Sequence, residues 1–481
     1  MKHRIQFLAL FTCAVVSSAF GQSGASVFSS CQNSSSTVYN KLVCQFPFSV
    51  GLYNDATALG ESSSSATPSA AVVATIFNSA IATQVSQLPV STATAGTVLL
   101  YENGAYQTYH NQGPILTDRP QTVGRYHHFW GFSASQYVFN SIDGQSLKAL
   151  NFAYARTAVN GTTTYTSEQT KLSFRLNQFV AIGTFGLTDR IDVSAILPIE
   201  RVSLGASASG IENWGVTGSS SFGPYATTLP YAAGTASGVG DLLINVKYLA
   251  WNGASGKAGA DQPASSGAGR ANVAMGVNFR EPIGDDLNLL GSGAFGVNPY
   301  VVASYMATVS PHAKIGYQWN GTTELNPSIV TTTTIAGSGT TTVQTTGANQ
   351  SLPGGYVYDI GADWAANKKL TIAADLLGNQ YLNSTVLSNA PTAITLYQTA
   401  GTLPTNVGCS SWTTNKDGIS STLTCSTSTY STSSYTINKL ATGVKWNPVW
   451  DMVFSANVLT QLNNNGLRSR PVPLLGVAYK F

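Results

Sequence analysis

The stretch KLSFRLNQFVAIGTFGLTDRIDVSAILPIE, residues 171–200, alternates on both arms of a tight turn. On the first arm Leu172, Phe174, Leu176, Val180 and Ile182 share one face, and Lys171, Ser173, Arg175 and Asn177 share the other. After Gly-Leu-Thr-Asp, the residues Ile191, Val193, Ala195, Leu197 and Ile199 fall on one side, with Asp192, Ser194 and Glu200 opposite. Period two on either side of a turn is the pattern of an antiparallel hairpin whose faces meet different surroundings.

The pattern repeats outward from this hairpin. It runs through GDLLINVKYLAW (240–251), ANVAMGVNFRE (271–281), NPYVVASYMAT (298–308), HAKIGYQWN (312–320) and YVYDIGADWA (356–365). It continues through LTIAADLLGNQY (370–381), INKLATGVKWN (437–447), DMVFSANVLTQL (451–462) and the closing PVPLLGVAYKF (471–481). With YHHFWGFSASQYVF (126–139) in front, the count is about twelve strands of roughly 10–14 residues. Sandwich strands are nearer 5–6 residues, whereas tilted membrane-crossing strands need about 9–11. Short connections (187–189, 309–311, 366–369, 447–450) alternate with long ones (141–170, 204–238, 282–296, 321–353, 382–435), the asymmetry of an outer-membrane barrel.

Composition agrees. Only 9% of the 481 residues are charged while 43% are hydrophobic, against about 25% charged in ordinary soluble domains. A surface so poor in charge must face something other than water. The net charge of +3 is spread without a basic run, which speaks against nucleic acid as a partner. At the N-terminus MKHR, the apolar IQFLALFTCAVV and Ala19-Phe20-Gly21 read as a signal peptide over 1–21. The expected organisation is that leader, an N-terminal periplasmic or plug segment over 22–120, and an all-β transmembrane antiparallel barrel over 121–481. The 22–120 segment contains one helical candidate, SAAVVATIFNSAIATQVSQL (69–88), with Val73, Ile76, Phe77, Ala80, Ile81 and Val85 at helical spacing.

In an exported chain, even-numbered cysteines pair. Cys31 with Cys44 and Cys409 with Cys425 are the expected disulfides. In the last strand Pro473, Leu475, Val477, Tyr479 and Phe481 share a face. A closed barrel has this strand paired on both sides, because hydrocarbon offers no partner to an open edge. Val477, Tyr479 and Phe481 resemble the C-terminal signal that the outer-membrane assembly machinery reads.

Taking the apolar faces as lipid-facing, the inward face holds Lys171, Arg175, Asp192, Glu200, Asp241, Lys247, Arg280, Lys314, Asp359, Asp363, Asp375, Lys439, Lys445 and Lys480. Both signs are present. They fit either mutually neutralising pairs that brace the barrel or a selective pathway. His127, His128 and His312 fall at the short-turn end, away from where a membrane lipase or protease works, so no enzyme is expected. Asp285 and Asp286 lack the oxygen spacing of a calcium loop, and no phosphate or dinucleotide fingerprint occurs, so neither metal nor cofactor is expected. Sequence fixes no oligomeric state.

At FGLTDRIDVSAILPI, SGVGDLLINVKYLAW, EPIGDDLNLLGSG and SPHAKIGYQWNG, with GPILTDRPQTVGR before the first strand, the chain resembles the meta-pathway phenol-degradation family of outer-membrane β-barrel transporters. The resemblance covers roughly 115–481. It implies a barrel set in outer-membrane lipid that passes small, often hydrophobic or aromatic, solutes. It carries over no site residue. The alternative is a non-conducting barrel with a structural or adhesive role.

Overall fold

The structure is a computed structural model that describes residues 35, 40–45, 78–85, 88, 99–102, 105–108, 112–157, 163–215, 225–228, 232–253, 270–336, 339–367, 369–396, 400–403, 409–449 and 452–480. Residues 1–21, Cys31, residues 69–77 and Phe481 lie outside them. So the signal peptide, the first half of the helical candidate and the terminal aromatic are sequence expectations only.

Twelve strands form the wall: β1 His128–Ile142, β2 Thr163–Gly186, β3 Ile191–Gly215, β4 Leu242–Asn252, β5 Arg270–Glu281, β6 Gly296–Met306, β7 Val309–Asn320, β8 Gly355–Asn367, β9 Leu370–Leu396, β10 Ser421–Val449, β11 Met452–Gln461 and β12 Val472–Lys480. Each pairs antiparallel with its neighbours in sequence. β12 then pairs with β1, Leu475 opposite Ala134 and Tyr479 opposite Trp130, and the sheet closes. Closure removes every edge from the wall.

Alternation decides what faces out. Ile315 and Leu475 are 60% and 61% exposed on the outer surface. An aromatic ring follows the short-turn rim: Trp130, Trp251, Tyr305, Trp364, Trp446 and Tyr479 are all exposed there. A second set, including Trp319 and Tyr356, lies toward the other end. In β8, Tyr356 and Trp364 are eight positions apart, about 26 Å along the strand and about 20 Å along the axis at a tilt of roughly 40°. That approaches the ~25 Å apolar band of outer-membrane barrels. Tyr479 takes the girdle position expected of it, with Val477 on the same outer face.

Several strands are far longer than the sequence pattern suggested. The β2–β3 ladder runs unbroken from Gly186↔Asp192 to Thr163↔Gly215, and β9–β10 extends to Leu396↔Ser421. Between β7 and β8, Thr322–Ala336 and Gly339–Ser351 pair into a separate hairpin. Much of what reads as long loop is therefore regular hairpin standing beyond the apolar band. Its Ser/Thr-rich composition shows no hydrophobic alternation, yet threonine favours strand and the ladder needs no lipid to continue.

Candidate functional site

The interior has two filled levels. At the short-turn end, residues 112–123 cross the lumen without regular structure, so their backbone N–H and C=O groups need partners from the wall. Inward-facing charged and hydroxyl side chains supply them. On β9, Thr371 Oγ1 accepts from Gln112 N at 3.0 Å. Asp375 Oδ2 accepts from the amides of Ile115 and Leu116 at 2.9 Å each and from Thr117 at 3.4 Å. From β10, Lys445 Nζ donates to the carbonyls of Gln112 and Pro114. Across the lumen, Lys247 Nζ on β4 donates to the carbonyls of Arg119 and Gln121 at 3.0 Å, and Asp192 on β3 accepts from Val123 N at 3.0 Å. Lys314 lies 3.6 Å from Asp118. The strap is thus tied to opposite sides of the barrel.

His312 braces the central tether. Its Nε2 is 2.8 Å from Asp375 Oδ1 and its Nδ1 is 3.1 Å from Asp363 Oδ1. With both ring nitrogens against carboxylates, the ring donates twice only as imidazolium. One oxygen of Asp375 holds the ring while the other holds the strap.

At the hairpin end the interior is apolar. Leu172, Phe174 and Leu176 of β2, Tyr137 and Phe139 of β1, and Val202 and Leu204 of β3 form one buried cluster with Ala80, Ile81 and Val85 of a helix over residues 78–85. Phe139 stacks on Phe174 at 4.8 Å between centroids. Two polar side chains within 78–85 tie the helix to its surroundings. Ser79 Oγ donates to Asn326 Oδ1 at 2.9 Å, Gln84 Nε2 donates to Tyr435 Oη at 3.2 Å, and Gln84 Oε1 accepts from Leu467 N. Gly466, at φ +64°, leaves room for Gln84, whose Nε2 would lie 2.7 Å from an added Cβ. The turn at Leu42–Cys44 packs into the same cluster, with Lys41 Nζ 2.6 Å from Asp285 Oδ2. Asp285 caps a short turn by accepting from Asn288 N, the turn chemistry its sequence suggests.

This arrangement corrects the inward list at two positions. Lys171 and Arg175 are exposed on the outer face of β2, because its apolar face turns inward to meet the helix. Among the described residues neither bonds to the N-terminal segment, whereas Lys445 does. Asp192, Glu200, Asp241, Lys247, Arg280, Asp359, Asp363, Asp375 and Lys445 are buried on the inner face, and Lys314 lies there half-buried, as does Lys439. The side chain of Lys480 lies outside the described residues. The strap itself went unseen as a site. Its only signal is Asp118 and Arg119 between Pro114 and Pro120, without periodicity.

Two disulfide expectations have different outcomes. Cys409 and Cys425 are bonded, joining the strand Cys409–Thr414 to β10. Cys44 is disulfide-bonded as well, with Cys31 outside the described residues.

A family model described as "Putative MetA-pathway of phenol degradation" matches residues 155–370, from before β2 to the start of β9. The match covers somewhat less than half of the chain. No curated protein matches the chain. Among solved structures, the chain is similar to the COG4313 outer membrane channel from Pseudomonas putida F1, at 9% identity over 75% of this chain and 97% of that one, TM-score 0.38. It is also similar to the Ralstonia pickettii toluene transporter TbuX, at 11% identity over 82% and 98%, TM-score 0.32. At these scores the fold rests on the chain's own ladders and closure.

Proposed function

We propose that the chain is an outer-membrane channel for passive passage of small apolar or aromatic molecules, with residues 22–120 as the plug and 121–481 as the barrel. The observation that carries this is the apolar inner wall at the hairpin end. A water-filled pore for ions would not line itself with Phe139, Phe174, Leu176 and Leu204, since such a wall favours apolar solutes over hydrated ones. The family match supports the same reading. In this account residues 1–21 direct export, and Val477, Tyr479 and Phe481 present the closing strand to the assembly machinery. The aromatic girdles hold the barrel in lipid.

Both levels of the interior are seated in this conformation, which also suits a barrel that never conducts. One experiment separates the readings. Full-length protein and a variant lacking residues 24–111 are reconstituted into planar bilayers and liposomes. A channel gives conductance steps that rise on truncation, and toluene-class solutes enter faster than sugars. Silent bilayers with both proteins leave the structural role.

A further inference from the structure

The outer face of β2 and its neighbours changes character along its length. At the short-turn rim the Trp130 ring of β1 lies over Gly183 of β2, where an added Cβ would come within 3.1 Å of the ring. Toward the hairpin end come Phe132, Phe179, Ile199 and Leu475, all exposed, with Phe132 stacked on Phe179 at 5.9 Å between centroids. Beyond them the apolar surface stops at Arg175 and Arg201, both exposed. Arg175 is eight positions from Gly183, the spacing that separates Trp364 from Tyr356 in β8. It therefore lies about 20 Å along the axis from the short-turn girdle, at the level where β8 carries its second aromatic.

Cations gather at that level. Arg175 pairs with Ser203 of β3 and Arg201 pairs with Asn177 of β2, so the two arginines are diagonal neighbours about 7–8 Å apart. On its other side Arg175 pairs with Val138 of β1, and the exposed Arg470 donates its backbone N–H to Val138 O at 2.9 Å. Arg470 thus stands two strands from Arg175, roughly 10 Å away. Lys171, also exposed, lies four positions farther out on β2. Around them the outer face carries Gln136, Asn140, Ser173, Ser203 and Ser237, with no Asp or Glu. Among the described residues none of these four cations has a carboxylate partner. Like charges side by side on a sheet repel one another, so the patch attracts an anion.

We infer that this patch binds the phosphorylated headgroup of an outer-leaflet glycolipid, whose acyl chains lie on the apolar surface beside it. Short turns of outer-membrane barrels face the periplasm, which sets the hairpin end outside. The patch faces lipid rather than lumen and is continuous with the apolar band, so its occupant combines an anionic head with an apolar body. A free anion would meet only half of that surface. Guanidinium forks match phosphate oxygens in paired hydrogen bonds, and Arg175 and Arg201 are close enough to share one phosphate. Lys171, farther out, meets a second acidic group of the same head. The inference depends on the outer-membrane placement and holds whether or not the lumen conducts.

The test uses full-length protein in dodecylmaltoside micelles. The probes are lipid A with its phosphates, the same lipid with the phosphates removed, and inorganic phosphate. Native mass spectrometry reads the retained lipid, and heat-modifiable migration on gels certifies each barrel. Wild type should retain the phosphorylated lipid about tenfold better than the dephosphorylated one, as charge-assisted hydrogen bonds at a wet surface require. Arg175→Gln combined with Arg201→Gln should abolish most of that preference. Arg175→Lys keeps the charge without the fork and should fall between. Arg190→Gln, at the short-turn end, should change nothing. Equal retention of the two lipids by wild type overturns the site without any variant having to fold. Undiminished preference in the folded double variant overturns the patch, and displacement of the lipid by inorganic phosphate makes this a plain anion site and overturns the lipid.

Discussion

Replacing Asp375 by Ala should unseat the strap. Asp375 Oδ2 takes two amide hydrogen bonds at 2.9 Å and a weaker one at 3.4 Å, all from consecutive residues in the middle of the crossing. Hydrogen bonds to a charged acceptor contribute about 1.5–3 kcal/mol each, so the two short ones amount to about 3–6 kcal/mol. Water reaches the freed amides once the strap lifts, and the lower figure is the safer one. A loss of about 3 kcal/mol raises the ratio of lifted to seated strap roughly a hundredfold. Thr117, fully buried, becomes the reporter as Thr117→Cys, because Cys44, Cys409 and Cys425 are bonded and silent to maleimide. Labelling of Thr117→Cys should accelerate by about that factor when Asp375→Ala is added, and planar-bilayer conductance should rise with it. Asp375→Asn keeps one carbonyl acceptor and should fall between. His312→Gln leaves the carboxylate in place and should matter less. If a heat-modifiable, folded Asp375→Ala protein labels at the wild-type rate, the strap is not held by this carboxylate and the account of the short-turn end is wrong.

Four further outcomes are expected. Leu475→Arg places a charge on the outer face of the closing strand and should cost about 2–4 kcal/mol near the bilayer midplane, read as a lowered denaturation midpoint in lipid vesicles; no change would mean that this face is not in hydrocarbon. Non-reducing mass mapping should recover the Cys409–Cys425 peptide. Cys409→Ser should loosen that outer hairpin by up to about 3 kcal/mol in hydrogen exchange while leaving the barrel strands protected. Burial, with the Glu324 charge nearby, pushes Asp286 up from 3.8 to about 6 in the turn after β5. The folded turn then holds its proton more tightly than the unfolded chain, so its stability falls as pH rises from about 3.8 to about 6 and is level above. Asp286→Asn should abolish that fall in hydrogen exchange of residues 285–293, and a pH profile identical to wild type would refute it.

Strand count, antiparallel order, closure and the outward placement of Leu475 and Tyr479 were legible in the sequence. Period two is imposed by the backbone itself, and lipid forbids polar groups on one face, so the pattern survives without knowledge of distant residues. The cysteine pairing at 409 and 425 was legible for a similar reason, being local. Which face of a strand turns inward was not always legible. Periodicity fixes the faces but not their direction, and β2 carries its leucines inward because Ala80, Ile81 and Val85, some ninety residues upstream, fill that part of the lumen. The long hairpins were hidden because strands beyond the membrane need no apolar face. The strap left little trace either, only Asp118 and Arg119 between two prolines. Residues 112–123 have no period, and the meaning of Asp192, Lys247, Asp375 and Lys445 appears only when closure of the barrel brings β3, β4, β9 and β10 around one stretch of unpaired backbone. Local pattern determined the wall, and only long-range closure decided what the wall holds.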